Sequence, residues 1–480
     1  MVTFLIALLA LILGYVLYSR VVDHIFHPTD KPTPATIHND GVDYIPLPTW
    51  KVFLIQLLNI AGLGPIFGAL GGALWGPSVY LWIVLGTIFA GGVHDYMSGM
   101  ISLREDGKSI SEVVGNHMGS TMLMIMRVFS VILLILVGTV FMTGPAMLLS
   151  KLTGWAVSPW LLIILLYFFI ATLLPIDTII ARFYPLFGIC LIVMALGIMG
   201  GMLLGVGGHE MPELVLQNLH PAGPDKMPIW PLMFITVACG AVSGFHSTQS
   251  PIMARCLKKE SLARPVFYGA MVAEGIIALI WAAAGVTFYD GTGGLQAAMK
   301  AGGPGGAVYD ICIGFMGAGA GAVLAMLGVI FCPITSGDTA FRSARLTLSD
   351  WFNIPQAKAG KRLMLAVPIL GIGAILSQID FTIVWRYFSW TNQTLAMIVL
   401  WTGAVYIYRT FKGKGWLVAA IPATFMSAVT TTYILQAPEG FQLPTSITYP
   451  VGIVFGILFL LLYLRVTVMR GPAGQGKQEG

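Results

Sequence analysis

Long apolar runs separated by short polar segments make up most of this chain. Each run reaches about 20 residues, the length at which a helix crosses the hydrocarbon core of a bilayer. The runs lack the period-two alternation of a membrane barrel, so the pattern predicts an all-helical bundle. We count about thirteen candidate transmembrane helices, which begin near residues 2, 49, 78, 119, 157, 183, 229, 265, 308, 361, 384, 415 and 447.

The predicted helices fall into two groups of five, with one additional helix before them and two after them. Two units that each contain an odd number of helices have opposite orientations when placed in series, which is the arrangement of an inverted repeat. The predicted organisation is an N-terminal helix and cytoplasmic loop at 1–48, a first repeat at 49–206, an extracytoplasmic loop at 207–228, a second, inverted repeat at 229–409, and two C-terminal helices with a tail at 410–480.

One helix in each repeat is interrupted by glycine and polar residues near its middle. The first contains NIAGLGPIFG, and the corresponding helix of the second repeat contains ACGAVSGFHSTQSP. Glycines also allow close helix packing, and Gly64 and Gly68 have the spacing for it. Pro65, however, suits the first turn of a new half-helix, and paired interruptions at matching positions are typical of a transporter binding site. We therefore favour unwinding over packing alone.

An unwound segment at membrane depth must place its free N–H and C=O groups against a cavity or a ligand. A half-helix that begins near Gly64 or Ser247 would direct N–H donors and a positive dipole end at an anion such as a carboxylate. His246 has an alternative role as a buried histidine bonded to a backbone carbonyl. The sequence thus predicts a small polar or anionic solute near the bilayer midplane, with the substrate-binding candidates Gly62, Gly64, Pro65, Gly68, Ser243, His246, Ser247, Thr248, Asn392 and Gln393.

Carboxylates inside apolar helices are costly and usually face a pathway. Glu274 lies about ten residues into its helix, roughly 15 Å deep by helical rise, and we interpret it as a proton carrier or cation ligand. A neutral structural carboxyl is the alternative. His94 and Asp95 are candidates for coupling or gating, or for a structural pair. Neighbours in sequence point to different faces of a helix, so the two need not touch.

A further cluster of oxygen-bearing side chains occurs in CPITSGDTAFRSAR, which we place at the cytoplasmic end of the ninth helix. Thr335, Ser336 and Asp338 offer the hard oxygen ligands that suit a sodium ion. The same residue types serve as ordinary helix caps. The cluster is therefore an ion-coupling candidate with a structural alternative.

Other motifs argue against metal and enzyme chemistry. Asp23, His24 and His27 offer a histidine pair at i, i+3, but two histidines without a convincing third ligand are more often solvated loop residues, so we predict no metal site. The sequence contains no Walker motif, no nucleophile elbow and no H-E-x-x-H. This excludes the usual ATP-driven pumps and membrane hydrolases, and we predict a protein that is not an enzyme and has no cofactor.

Composition and charge define the class and the orientation. The 480 residues are 57% hydrophobic and 10% charged, with a mean hydropathy of +0.84. These values exceed what a soluble domain buries or exposes. Lysine and arginine concentrate on one side of the predicted helices, so the positive-inside rule predicts the N-terminus outside and the C-terminus inside. The net charge of +5 reflects this orientation, and we expect the lipid bilayer and a small solute as partners, not nucleic acid.

Several long strings carry a family resemblance. DGVDYIPLPTWKVFLIQLLNIAGLGPIFGAL and LWIVLGTIFAGGVHDYMSGMISLREDGKSISEVVG closely resemble the carbon starvation protein A family of bacterial inner-membrane transporters. The likeness returns at GFHSTQSP, EGIIALIWAAAG, DTAFRSAR and WTNQTLA. The chain is shorter at its C-terminal end than the longer family members.

The resemblance implies proton-driven uptake of small carbon and nitrogen sources, with peptides and pyruvate as the substrates associated with the family. It further implies a LeuT-like core of five plus five inverted helices, similar to the amino acid, polyamine and organocation superfamily, with its first and sixth helices broken. These are the helices with Gly62 to Gly68 and Gly240 to Thr248, and Thr335 and Ser336 resemble a pair that holds sodium in some members. A membrane-embedded solute sensor without net transport is the alternative function.

Overall fold

The computed structural model describes residues 1–40, 44–173, 176–356 and 358–469, and within these ranges the regular structure is helical. The first part of the chain forms the helices α1 (Val2–Phe26), α2 (Thr49–Ile60), α3 (Gly64–Trp75), α4 (Val79–Arg104), α5 (Ile110–Met118), α6 (Ser120–Thr153), α7 (Val157–Leu173) and α8 (Ile176–Leu203).

The second part continues with nine helices in the same ranges, some of them containing short 3₁₀ or π turns. They are α9 (229–240), α10 (Gly244–Ala254), α11 (Glu260–Phe288), α12 (Thr292–Met316), α13 (320–352), α14 (Ala359–Leu376), α15 (Phe381–Phe411), α16 (Leu417–Gln436) and α17 (Thr445–Met469).

The length and hydropathy of these helices agree with a membrane bundle. Among the described residues, nine helices are long and apolar enough to cross a membrane, and ten are if α2 and α3 count as one broken span. The all-helical class is confirmed. The count of about thirteen spans and the division into two inverted repeats stay predictions.

The ninth predicted helix begins later than residue 308. Gly317 adopts φ +83° and ends α12 at Met316, and α12 is itself bent at Gly303, where φ is +67°. Only glycine adopts this region without steric cost, so the apolar stretch from residue 308 divides between α12 and α13. The cluster that begins at Thr335 therefore lies near the middle of α13, and the prediction that it lies at a helix end was wrong.

Burial distinguishes the centre of the bundle from its lipid-facing rim. Every residue from 55 to 73 is buried, which places the junction of α2 and α3 in the interior. By contrast, α14 and α17 expose much of their apolar surface, as in Ile375 and Leu462. Since lipid tails accept apolar side chains as readily as a protein core does, such exposure is expected of helices that face a bilayer.

Candidate functional site

Two helices are interrupted at the centre of the bundle. Between α2 and α3 the helix breaks at residues 61–63, and the axis turns by 53°. Between α9 and α10 it breaks at residues 241–243, where Ser243 is extended with φ −145° and ψ 123°. The half-helix boundary at Gly64 agrees with the sequence. The second half-helix begins at Gly244, whereas we predicted a start near Ser247.

The earlier start of α10 has two physical causes. The Asn392 side-chain oxygen accepts hydrogen bonds from the Phe245 N–H at 2.7 Å and the Ser243 hydroxyl at 3.1 Å, so it caps the first turn. A Cβ on Gly244 would lie 2.4 Å from the Asn392 carbonyl oxygen, so glycine is required for α10 to approach α15 this closely. Asn392 thus belongs to the second interruption and fixes where the new helix starts.

Two other predicted binding residues turn towards their own helix. Ser247 donates its hydroxyl hydrogen bond to the Gly244 carbonyl at 2.6 Å, and Thr248 donates to the Phe245 carbonyl at 2.7 Å. Their hydroxyls therefore contact the backbone of α10 in this conformation of the protein.

The glycines of the first interruption also serve close packing. A Cβ on Gly64 would lie 2.4 Å from Cys239, one on Gly68 would lie 2.8 Å from the Val237 carbonyl oxygen, and one on Gly62 would lie 2.6 Å from the Phe141 ring. Real Cβ contacts are never this short, so each position needs glycine. The two interpretations weighed from the sequence, unwinding and packing, both apply to this helix.

Neighbouring helices bind further backbone carbonyls at the second interruption. Gln393 donates from Nε2 to the Ala238 carbonyl at 3.2 Å, and the Thr87 hydroxyl donates to the Gly240 carbonyl at 3.1 Å. Water does not reach an unwound backbone inside the membrane, and these side chains supply the hydrogen bonds that the two carbonyls need. Sequence reasoning missed Thr87, whose signal is a hydroxyl in an apolar helix about two turns before His94.

Four titratable side chains form a continuous buried chain beside the second interruption, which we call the relay. His94 Nδ1 lies 2.7 Å from Asp95 Oδ1, Asp95 Oδ2 lies 2.8 Å from His246 Nδ1, and His246 Nε2 lies 3.3 Å from Glu274 Oε2. All four side chains are fully buried. The sequence left open whether His94 and Asp95 touch, and the structure shows that they do, because the Asp95 carboxylate bridges both imidazoles through its two oxygens.

The geometry of the relay suits proton transfer. An imidazole takes up a proton at one nitrogen and releases one at the other, and it changes charge near neutral pH. His246 touches a carboxylate at each nitrogen, although its contact to Glu274 is within ion-pair distance without hydrogen-bond alignment. His94 Nε2 and Glu274 Oε1 have no hydrogen-bond partner among the described residues. Each end of the relay, His94 Nε2 at one and Glu274 Oε1 at the other, therefore has one polar atom to which a further proton donor or acceptor could bind.

The relay joins three helices at the centre of the bundle. Asp95 lies in α4, His246 in the first turn of α10 and Glu274 in α11. Gly275, next to Glu274, packs against Thr87, which lies eight residues before Asp95 in α4. The relay therefore connects groups that lie beside different turns of α4.

Two serines that the sequence reasoning missed lie one turn further along the same helices. The Ser98 hydroxyl is 3.3 Å from the Ser250 hydroxyl, and Ser250 also donates to the His246 carbonyl at 3.0 Å. Ser98 follows Asp95 by three positions and Ser250 follows His246 by four. Residues at this spacing share a helix face, so the spacing could have identified them.

The hydroxyl cluster of α13 contacts the first interruption. Ser336 donates its hydroxyl hydrogen bond to the Leu58 carbonyl at 3.3 Å and to the Cys332 carbonyl at 3.1 Å, and Thr335 donates to the Cys332 carbonyl at 2.7 Å. The Cys332 sulfur lies 3.8 Å from the Leu58 carbonyl oxygen. The Leu58 carbonyl therefore accepts from both a hydroxyl and a thiol, and a thiol is a soft ligand.

Asp338 pairs with an arginine of its own helix. Its carboxylate lies 3.4 Å from Arg342 one turn along α13, and its side chain is almost completely buried. The carboxylate that we proposed from the sequence as an ion ligand is therefore already paired with an arginine.

A cavity of about 1030 Å³ opens at the end of the bundle that carries Lys151 and Asp310. We call it the vestibule. Phe67 and Gly71 of α3 line it, as does Thr236 of α9, so both interrupted helices reach its wall. According to the positive-inside prediction, this end faces the outside.

Aromatic rings line the part of the vestibule next to the interruptions. The Phe67 ring lies 6.0 Å from both Phe381 and Trp385, and Phe381 and Trp385 are 5.8 Å apart. Phe388, one turn further along α15 at 5.3 Å from Trp385, is completely buried. Ring pairs at these distances pack favourably, so they form an apolar layer between the vestibule and Asn392.

Polar contacts cross the opposite end of the bundle. The backbone N–H groups of Ile45 and Leu47 donate to the Arg255 and Cys256 carbonyls at 3.2 and 3.1 Å. Arg255 in turn donates from Nε to the Gly107 carbonyl at 2.9 Å. The segment before α2 is thereby joined to the loops that follow α4 and α10.

Two amides on α2 are buried without partners between that end and the first interruption. Both side-chain polar atoms of Gln56 and the Asn59 oxygen have no hydrogen-bond partner among the described residues. Their spacing of three places them on one face of α2. Unpaired buried polar groups are rare and costly, so each needs an explanation.

The N-terminal histidine pair has local contacts. The Tyr96 hydroxyl donates to Asp23 at 2.7 Å, and the rings of His24 and His27 pack edge to face at 5.2 Å. Across the described ranges, no group of three or more histidine, cysteine or acidic side chains is placed to hold a metal ion.

Sequence comparisons place the chain among membrane transporters. The family model described as carbon starvation protein CstA matches residues 1–158 and 144–303. A Haemophilus influenzae relative known as an uncharacterized membrane protein is 40% identical over 352 residues, which is 63% of this chain and 95% of the relative. The peptide transporter CstA of Helicobacter pylori is 28% identical over 343 residues, 56% of this chain and 48% of the relative.

A pyruvate/proton symporter, BtsT of Escherichia coli, is 29% identical over 318 residues, 52% of this chain and 43% of the relative. The chain thus spans about half the length of these named transporters.

Structural comparisons give the fold. A manganese transporter of Eremococcus coleocola aligns with a TM-score of 0.52 at 11% identity, covering 90% of this chain and 97% of that one. Mhp1, a nucleobase-cation-symport-1 family transporter, aligns with a TM-score of 0.50 at 15% identity, covering 88% and 93%. This likeness confirms the LeuT-like fold class. With a family model that covers more than half of its length, the chain belongs to the carbon starvation protein CstA family.

Proposed function

We propose that this chain is a secondary-active importer that carries a small carboxylate-bearing carbon or nitrogen source, pyruvate or a short peptide, together with protons across a bacterial inner membrane. The observation that carries the proposal is the relay, in which His246, in the first turn of α10, lies between Asp95 and Glu274. Membrane-buried ionisable residues that contact one another are a hallmark of proton pathways. The named relatives, a peptide transporter and a pyruvate/proton symporter, agree with this function.

Proton occupancy would control how firmly α10 is held by its neighbours. With His246 protonated, its positive charge lies between two carboxylates and attracts α4 and α11 towards α10. Loss of that proton leaves two acidic groups around a neutral ring, and buried like charges repel. Because α10 is half of an interrupted helix, this change in attraction can bias the conformation around the solute site.

The geometry favours protons over sodium as the coupling ion. The Leu58 carbonyl contacts the Ser336 hydroxyl and the Cys332 thiol, and Asp338 is paired with Arg342. A sodium ion prefers several oxygen ligands, and this arrangement supplies fewer than the sequence suggested. The relay offers four proton-binding groups instead.

The solute would bind where the two interruptions meet and be reached by alternating access. The first turn of α10 has one N–H bound by Asn392, and helix N-termini attract anions through their remaining N–H groups and dipole. The vestibule gives access from one end, and the contacts of Arg255 cross the other. We assign the vestibule to the outside, with the N-terminus out and the C-terminus in, from the distribution of positive residues.

Uptake into proteoliposomes tests this proposal. Purified protein is reconstituted, and labelled pyruvate or dialanine uptake is measured under an imposed proton gradient, an imposed sodium gradient, or neither. We expect accumulation with the proton gradient that stops when a protonophore is added. Accumulation that follows only the sodium gradient would contradict proton coupling, and binding without flux would favour the sensor.

A further inference from the structure

Lys151 and Asp310 on the vestibule wall neutralise each other, and Asp380 is engaged as a helix cap. Lys151 lies 2.8 Å from Asp310 and also donates to the Gly306 carbonyl, and Asp380 accepts the Thr382 N–H at 2.9 Å as a helix cap. These contacts are structural, and they leave little attraction for a charged solute.

Arg386, in the first turns of α15, is held differently. Its Nε lies 3.1 Å from Glu439 Oε2, and the Glu439 side chain is only 4% exposed. The Tyr433 hydroxyl donates to the other oxygen of Glu439. The buried Glu439 carboxylate therefore holds the guanidinium from one side through an ion pair without hydrogen-bond alignment, while the Arg386 side chain, 37% exposed, lines the vestibule.

The remaining nitrogens of Arg386 are available to a ligand. No hydrogen bond joins its two terminal nitrogens to any of the residues that the structure describes, whereas Arg104 and Arg409 make such bonds. A planar guanidinium with free terminal nitrogens binds a carboxylate through two parallel hydrogen bonds. Its fixed position lowers the entropy that binding would cost.

Apolar surface lines the same cavity as this guanidinium. Trp385 precedes Arg386 in α15, and the Trp385, Phe381 and Phe67 rings form the aromatic layer of the vestibule. A small organic acid has both a charged carboxylate and an apolar body, and this combination of surfaces matches both.

We propose that Arg386, oriented by Glu439 and bordered by Trp385 and Phe381, forms an outer binding site that holds the carboxylate of the solute before it reaches the interrupted helices. The solute class rests on the proposed function. The site itself rests on the fixed guanidinium, the cavity and the aromatic layer. Since Phe67 belongs to α3, an occupant of the outer site also touches half of the first interrupted helix.

Local cysteine labelling tests the site without relying on transport. Thr382 lies one turn before Arg386 and lines the vestibule, and all five native cysteines are buried. Thr382→Cys should therefore react with a membrane-impermeant maleimide added to purified protein. We expect pyruvate and dialanine to slow this reaction, and methyl pyruvate, which lacks the charge, to leave it unchanged.

Substitutions at the proposed site provide the decisive comparison. In Thr382→Cys protein, Arg386→Gln should raise the pyruvate concentration for half-protection at least tenfold, whereas Arg386→Lys should raise it less. Lys300→Gln is the matched control, because it removes a vestibule cation that, among the described residues, bonds to Gln296 on its own helix alone. Equal protection in the Arg386→Gln variant, or the same loss in the Lys300→Gln variant, would overturn the outer site.

Two further measurements separate misfolding and failed transport from failure of the site. Arg386→Gln leaves Glu439 buried without its partner, which is destabilising, so the double variant Arg386→Gln/Glu439→Gln, which removes both charges, should fold normally and still lose protection. Protection that depends on Arg386 in a protein without flux would refute the transport proposal alone. Proton-coupled flux with protection independent of Arg386 would refute the outer site alone.

Discussion

Glu274 is a fully buried acidic residue that lies within ion-pair distance of His246. Sequence reasoning selected it for its depth, but its contact with His246 could not be predicted. The reason is that Asp95 and His246 are 151 residues apart in sequence, and no local spacing fixes how the consecutive helices α10 and α11 pack against each other. His94 and Asp95 illustrate the same limit, since their shared contact depends on His246 from another helix.

Replacing Glu274 by glutamine removes a proton-binding group at nearly constant volume. We expect Glu274→Gln to lower proton-driven uptake at least tenfold and to flatten its pH dependence, because His246 keeps one acidic partner instead of two. Exchange of labelled for unlabelled solute, which needs no net proton movement, should persist. Asp290→Asn is the control, since Asp290 lies in an exposed loop, and unchanged pH dependence in the Glu274 variant would refute the role of the relay.

Gly64 tests the close approach of the two interruptions. A Cβ there would lie 2.4 Å from Cys239, so Gly64→Ala should abolish uptake or lower the melting temperature. Gly200→Ala is the matched control, because a Cβ at Gly200 meets no atom within 4 Å.

A second substitution should relieve the clash that a side chain at position 64 makes with Cys239. Cys239→Gly removes the atoms that a Gly64 side chain would meet, so the double variant should recover part of the lost activity, in the manner of a coupled pair. Full activity of Gly64→Ala alone would show that α3 and α9 separate easily.

The interrupted helices show what local sequence predicts about an element and what it does not. Glycine and Pro65 identified the interruption before α3 to the residue. In the second repeat, four polar residues after Gly244 suggested a longer unwound segment, but the Asn392 cap from α15 starts the helix earlier. The α12 boundary was missed for another reason, since a glycine with positive φ inside an apolar run resembles any other glycine in sequence.

The short helix α5 is joined to the end of α4 by Glu105. Asn116 donates to one carboxylate oxygen at 2.7 Å, and His117 Nε2 lies 2.6 Å from the other. Burial acts to raise the pKa of Glu105, but these hydrogen bonds outweigh it and bring the pKa below its usual value of 4.5. The depressed pKa means that the stabilisation is present above pH 4.5 and is lost as the pH falls through the lower folded value.

The lowered pKa of Glu105 gives a prediction for how stability changes with pH. At pH 7, Glu105→Gln should lower the melting temperature of the purified protein by about 1 to 2 °C, since partly exposed pairs contribute little. The difference from the parent protein should shrink as the pH is lowered below 4.5. Asp106→Asn, at a neighbouring and largely exposed carboxylate, should show little effect at either pH, and an equal loss in both variants would refute the assignment.

The bundle as a whole has one open end and one end crossed by polar contacts. The Gln56 amide and the Asn59 side-chain oxygen, which have no hydrogen-bond partner among the described residues, lie on the half of α2 next to the first interruption. We explain their cost by hydration in a conformation in which the crossed end is open. This explanation concerns the alternating states of the protein and could not be derived from the sequence.

Opening of that end is measurable at Gln56. Maleimide labelling of Gln56→Cys should be slow in this conformation and should speed up at least tenfold when Arg255→Ala removes the side-chain bond to Gly107. Lys258→Ala, at an exposed lysine nearby, should leave the rate unchanged. Fast labelling in the parent protein would show that the end is already open.

The central position of the relay has a consequence for the membrane potential. Moving one charge across the full potential changes the free energy by about 2.3 kcal/mol per 100 mV. A proton that reaches the fully buried relay from either end has already crossed part of that potential. Part of the electrical driving force should therefore act on the proton in the vestibule and along α2, before it enters the relay.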